Sequence, residues 1–235
     1  MKKLKAFSLI EMLMTLGIMA IVVLIATQTL NTIFRVSTIS KFKTVTRNEM
    51  SFSMELVERL LANSNVRDLY IFDPKDGSGD PIRYYDEIDN EIVPPDPGDL
   101  SIYEAETNSG DSGTEIHIRP YGYDFWVCIG YFKGDEDHTK GYLLKRTMDS
   151  FPEGTGHESC FNTGYNGTED PVLVLNSEDV NVNDFEVSYI KSSDINNVFY
   201  IDMEMEPTSW VPGESALERA VIRQAIVTTK GLTWY

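Results

Sequence analysis

Met1-Lys2-Lys3-Leu4-Lys5-Ala6-Phe7-Ser8-Leu9-Ile10-Glu11 opens the chain, and an apolar run from Met12 to Leu30 comes directly after it. From Phe7 to Ala26 there are twenty residues, and Glu11 is their one charge. A helix rising about 1.5 Å per residue over that length covers a hydrocarbon core of ~30 Å. Lys2, Lys3 and Lys5 precede the run. The positive-inside tendency keeps their side cytoplasmic, so residues 27–235 are expected beyond the membrane.

A secretory signal shares the basic start and apolar centre, but it closes on a small-residue cleavage site. Here the small residue, Ala6, lies before the run, and Thr27-Gln28-Thr29-Leu30-Asn31 offers no such site after it. A cut at Ala6 leaves the apolar helix on the mature chain. A carboxylate in a spanning helix costs on the order of 2.5 to 3.5 kcal/mol on insertion scales, so Glu11 calls for a partner. Cleavage of the Ala6–Phe7 bond would give Phe7 a cationic amine and make Glu11 the fifth residue of the mature helix. The amine of a neighbouring copy can then neutralise it.

Ala6-Phe7-Ser8-Leu9-Ile10-Glu11 resembles the leader junction of the type IV pilin superfamily, G-F-T-L-I-E, with alanine in place of the usual glycine before the cut. The resemblance implies cleavage between Ala6 and Phe7 by a prepilin peptidase, N-methylation of Phe7, and Glu11 as the acid that sets register with an adjacent subunit. It also implies other pilin or pseudopilin subunits and an inner-membrane assembly platform as partners, with the head ending in an extracellular or periplasmic filament.

Charge divides the rest of the chain. Residues 31–63 carry five basic side chains (Arg35, Lys41, Lys43, Arg47, Arg59) and three acidic ones (Glu49, Glu55, Glu58), whereas residues 64–235 carry 12 Lys/Arg against 33 Asp/Glu, a net of −21. Between Asn31 and Ala62 there is no Pro or Gly, and Ile39, Phe42, Val45, Phe52, Leu56 and Leu60 recur at spacings of three, four or seven. That pattern predicts an amphipathic helix continuing the apolar one and stopping at Asn63-Ser64-Asn65, a rod of about 85 Å from Phe7. A coiled-coil stalk is the alternative, but no sustained heptad supports it.

Beyond Asn65, short alternating segments between Gly, Pro, Asn and Asp predict strands at 68–72, 83–87, 101–104, 115–119, 124–132, 141–146, 172–175, 184–190, 198–205 and 220–229. Residues 73–81 and 90–99 read as exposed loops. The expectation is an α+β chain in four parts: a leader over 1–6, a transmembrane helix over 7–30, an amphipathic helix over 31–63 and a β-rich acidic head over 64–235.

Within that head, Gly141-Tyr-Leu-Leu-Lys-Arg146, Val172–Ile190, Phe199–Met205 and Ala220–Thr229 are similar in order to PilW-like minor pilins and to J-type minor pseudopilins of type II secretion. That likeness implies a subunit present in few copies, as does a head bulkier than that of most major pilins. Which machine such a subunit would serve (motility, adhesion, DNA uptake or secretion) is not written in these residues.

Cys128 and Cys160 are the two cysteines. In an oxidising exterior a disulfide closing a loop of about 30 residues is the leading reading, with two separate thiols as the alternative. His138 and His157 between them permit zinc, but C-x9-H-x18-H-x2-C is no recurrent ligand spacing. Asp76, Ser78, Asp80 and Glu87 fall at positions one, three, five and twelve of a calcium loop, yet Pro81 stands where glycine is needed, which favours a solvated turn. Gly134-Asp-Glu-Asp-His138 reads the same way, and no cofactor is expected. The scattered His117, His138 and His157, without a nucleophile or phosphate-loop motif, argue against an enzyme. The acidic head disfavours direct nucleic-acid binding. Tyr84, Tyr85, Tyr121, Tyr123 and Trp210 are the aromatics a surface-binding head would use, although such residues more often belong to a core.

Overall fold

The computed structural model describes residues 8–74, 83–88, 91–93, 101–104, 108–134, 140–148, 160–161, 172–191, 196–209 and 219–230. The protein is α+β. One helix, α1 (Leu9–Ala62, 54 residues), precedes twelve strands among the described residues. Two compact units divide the chain, Met1–Phe42 and Lys43–Tyr235.

In the first unit α1 exposes its apolar side chains, from Leu9 and Ile10 through Ile33, Phe34 and Val36. A surface so apolar, over a length able to cross a membrane, is built for lipid or for other helices. Its polar hydroxyls are already satisfied within the helix: Thr27 Oγ1 donates to Val23 O at 2.8 Å, Thr29 to Ile25 O at 2.9 Å and Thr32 to Gln28 O at 3.0 Å. Without such bonds each hydroxyl would carry a desolvation cost into hydrocarbon.

In the second unit, the last turns of α1 bury Thr46, Met50, Ser53, Met54, Val57 and Leu61, a set spaced four, three, one, three and four residues apart. The sequence stripe pointed elsewhere. Phe52 is 60% exposed, and Val45, Leu56 and Leu60 are only partly buried, so the true face lies one residue further along, a rotation of about 100°. Small Thr46 and Ser53 are buried on this face, and the flexible Met50 and Met54 join the core beside them. Ser177 N–H donates to Glu49 Oε2 at 3.0 Å, and Arg223 lies 3.8 Å from Glu58, fixing both edges of this face.

The strands are β1 (Ser64–Asp73), β2 (Tyr84–Asp86), β3 (Glu91–Val93), β4 (Ser101–Glu104), β5 (Ser112–Gly113), β6 (Glu115–Pro120), β7 (Trp126–Gly134), β8 (Gly141–Met148), β9 (Leu173–Val174), β10 (Val180–Lys191), β11 (Asn196–Pro207) and β12 (Val221–Lys230). The first sheet runs β3-β2-β7-β6-β1-β4, with β8 also pairing β7 and β9 pairing β8; the second runs β12-β11-β10-β5. Among the described residues every pairing is antiparallel except β2 with β7.

Two expectations need correction. Part of the 90–99 segment is strand β3 rather than loop, because Tyr84↔Val93 and Tyr85↔Ile92 pair across a short hairpin and bury Ile92. The two-residue β5 had no periodicity to reveal it; it is held by Val187↔Gly113 pairing.

The first sheet is buried on both faces. Ile116, Ile118, Val127, Ile129 and Leu143 join α1 and the inner residues of β10 and β11 in one core. On the other face Tyr85, Cys128, Phe132, Leu144, Cys160 and Phe161 make a second core. Buried Asn176 links the sheets: its Oδ1 accepts from Leu143 N–H at 2.9 Å, and its Nδ2 donates to Gly141 O at 3.2 Å and Val180 O at 2.8 Å. At Gly141 the strand passes so near Val182 O that any Cβ would collide with it.

Candidate functional site

Two places concentrate chemistry. The first is the start of α1. Ser8 Oγ accepts from Glu11 N–H at 3.3 Å, while Glu11 Oε2 accepts from Ser8 N–H at 2.9 Å, a reciprocal capping box that satisfies two end-of-helix donors. Glu11 thus stands in the first turn as an exposed carboxylate among exposed Leu9, Ile10, Met12 and Leu13. Ala6 and Phe7 lie outside the described residues.

Residues 1–27 match the family model described as the prokaryotic N-terminal methylation motif. The chain carries the prepilin-type signal of type IV pilins. This signal covers the leader, the Ala6–Phe7 junction and most of the apolar run, and it points to a pilin- or pseudopilin-like structural subunit that assembles with other pilins and meets a prepilin peptidase. Together with the apolar helix it is consistent with a single-pass, membrane-anchored pilin. No curated protein and no solved structure matches the chain, so the prepilin-type signal carries the family reading by itself.

The second place is in the head, far in sequence from that signal. β6 and β7 set His117 opposite Cys128, and a disulfide joins Cys128 to Cys160 with Cα atoms 6.5 Å apart. His117, Cys128 and Cys160 are all fully buried. His117 Nε2 lies 2.6 Å from Glu115 Oε1, and the other Glu115 oxygen pairs with buried Arg83. Burial is the largest influence on Glu115 and pushes its pKa up, but the Arg83 charge and the His117 hydrogen bond outweigh it, and the net shift is downward. Phe72 packs against the imidazole with ring centroids 4.2 Å apart, and the Arg83 guanidinium sits over Phe132 at 5.3 Å.

The two histidines between the cysteines in sequence, His138 and His157, lie outside the described residues. The histidine beside the disulfide is His117, and the available signal was alternation: Glu115, His117 and Arg119 share one face of β6 while Ile116 and Ile118 take the other. Asp76, Ser78, Asp80 and most of the 134–138 cluster also lie outside the described residues. Glu87 is tied to the head's own side chains, accepting from Tyr142 Oη at 2.7 Å and lying 3.3 Å from Lys140 Nζ. The Tyr142 hydrogen bond is the main cause of its lowered pKa.

Of the surface aromatics, Tyr85 is buried at 3% exposure, stacked edge-on to Tyr142, and belongs to the second core. Tyr84 is half-buried, and Trp210 lies outside the described residues. Tyr121 and Tyr123 are exposed, at 51% and 57%.

Proposed function

We propose that the protein is a minor type IV pilin or pseudopilin, a structural subunit that primes or caps a filament after cleavage between Ala6 and Phe7. The prepilin-type signal carries this reading. Supporting it are Glu11, presented in the first turn of a lipid- or helix-seeking rod, and a large two-sheet head suited to few copies. The leader lysines favour a cytoplasmic N-terminus with the head outside, and the acidic head favours protein partners over nucleic acid. Mass spectrometry of the N-terminal peptide tests the first step. A peptide beginning at methylated Phe7 only when a prepilin peptidase is present is the expected result; retention of Lys2–Ala6 would reduce the protein to an anchored β domain.

A tip-adhesin reading draws on one observation. Tyr121 and Tyr123 project from the β6–β7 turn around Gly122 (φ 82°), and Tyr121 N–H donates to Asn63 O at 2.7 Å at the C-terminal end of α1. Tyr121→Ala/Tyr123→Ala with filaments intact and attachment lost would favour adhesion. Glu11→Ala with filaments absent would favour priming.

A further inference from the structure

The Cys128–Cys160 bond closes a position that has a third metal-ligand side chain in it. One ring nitrogen of His117 and the two sulfurs all lie within 4.8 Å of one another, and all three residues are buried. In a tetrahedral zinc site with Zn–S of about 2.3 Å and Zn–N of about 2.0 Å, ligand atoms stand about 3.5 to 3.8 Å apart. Once the disulfide is opened, the sulfurs reach that separation by side-chain rotation, because their Cα atoms are already 6.5 Å apart.

The surroundings are those of a metal-bound histidine. A ligating imidazole almost always gives its other nitrogen to a carboxylate, carbonyl or water, which fixes ring and tautomer. Here Glu115 Oε1 holds His117 Nε2 at 2.6 Å, and Arg83 holds Glu115 in turn. Nδ1 is then the lone-pair nitrogen. Phe72 at 4.2 Å and Phe161 at 6.3 Å between ring centroids keep the imidazole in place.

We propose that the dithiol form of this head binds one zinc ion through Cys128 Sγ, Cys160 Sγ and His117 Nδ1, with a water in the fourth position. The same buried position is therefore closed by a disulfide when oxidised and by a metal when reduced. The chemistry balances: a two-electron reductant, a dithiol or a phosphine with water, delivers two electrons and two protons to the Sγ–Sγ bond and leaves as its disulfide or phosphine oxide. Zinc then displaces the two thiol protons. A newly made chain holds these cysteines as thiols before oxidation, so zinc would hold the second core together until the bond forms.

The test uses the full chain in detergent, reduced with a phosphine without oxygen and titrated with cobalt(II), then with zinc(II). One cobalt per reduced chain, with a thiolate-to-metal charge-transfer band and a tetrahedral spectrum lost on adding zinc, is expected. The oxidised chain should bind none. His117→Ala should weaken binding at least tenfold, and circular dichroism reports whether that variant keeps its sheets. Should it unfold, X-ray absorption of the zinc-loaded wild type decides the matter, with two sulfurs and an imidazole nitrogen in the shell expected. No cobalt band from the reduced wild type, or a shell without imidazole, would overturn the proposal. Neither result depends on filament assembly, so the site can fail while the pilin reading stands, and the reverse.

Discussion

Arg83 and Glu115 are 2% and 1% exposed, and each is the other's charge partner. Removing one member leaves an uncompensated buried charge, which costs about 3–5 kcal/mol, whereas exchanging both for apolar residues is often neutral. Glu115→Gln should therefore lower the urea midpoint strongly, and Arg83→Met/Glu115→Leu should recover only part of the loss, because buried His117 Nε2 then loses its acceptor. Tyr131 acts at the other end of the pH scale. Burial, then the nearby Asp184 charge, raises its pKa from 10.0 to about 12, while its hydroxyl donates to Asn183 O at 3.1 Å. A folded pKa above the unfolded one gives stability that is complete below pH ~10 and lost as pH rises toward about 12. Urea titrations across that alkaline range should show a falling midpoint whose slope Tyr131→Phe reduces by one proton's share, since the phenols of Tyr85 and Tyr142 are raised by burial too; an unchanged slope would show the Tyr131 phenol is not among the titrating groups.

At the scale of elements, the buried side of α1 is the informative comparison. Met54→Ala should cost about 2–5 kcal/mol because it opens a cavity between helix and sheets. Phe52→Ala, although it removes a larger apolar group, should change stability by no more than about 0.5 kcal/mol, since Phe52 is 60% exposed. Thermal unfolding of the two variants distinguishes the observed face from the one large apolar residues imply. The helix itself was legible from its unbroken length without Pro or Gly, and its end from Asn63. Its orientation was open to two readings, because Met50, Met54, Val57 and Leu61 recur at four, three and four residues, while the larger Phe52, Leu56 and Leu60 form a competing stripe one residue earlier. Long strands such as β7, β8, β10 and β11 announced themselves by alternation, while β3 and β5, three and two residues long, exist only through their partners.

For the molecule as a whole, acidity and the disulfide set the terms. Glu186 stands opposite Asp202 and Asp184 opposite Glu204 across β10 and β11, so like charges face each other on one sheet. Raising ionic strength from very low salt to about 0.15 M should therefore raise the melting temperature, by screening within a Debye length of about 8 Å. The Cys128–Cys160 bond spans 32 residues, and Cys128→Ser/Cys160→Ser should lose about 2–4 kcal/mol of stability in urea. The two cysteines and their pairing were readable from compartment and number. The imidazole beside them was not, because cross-strand register, rather than sequence distance, put His117 there.

The reciprocal Ser8–Glu11 bonds aim the acid before any partner arrives. Ser8 N–H engages Oε2, while the carboxylate keeps its second oxygen and its whole negative charge for a cation. On the proposed reading an incoming amine would give up no existing bond of the acid to reach it. The side chain would also lose less rotamer freedom on pairing than one left to swing, so the box makes the helix end a pre-set receptor.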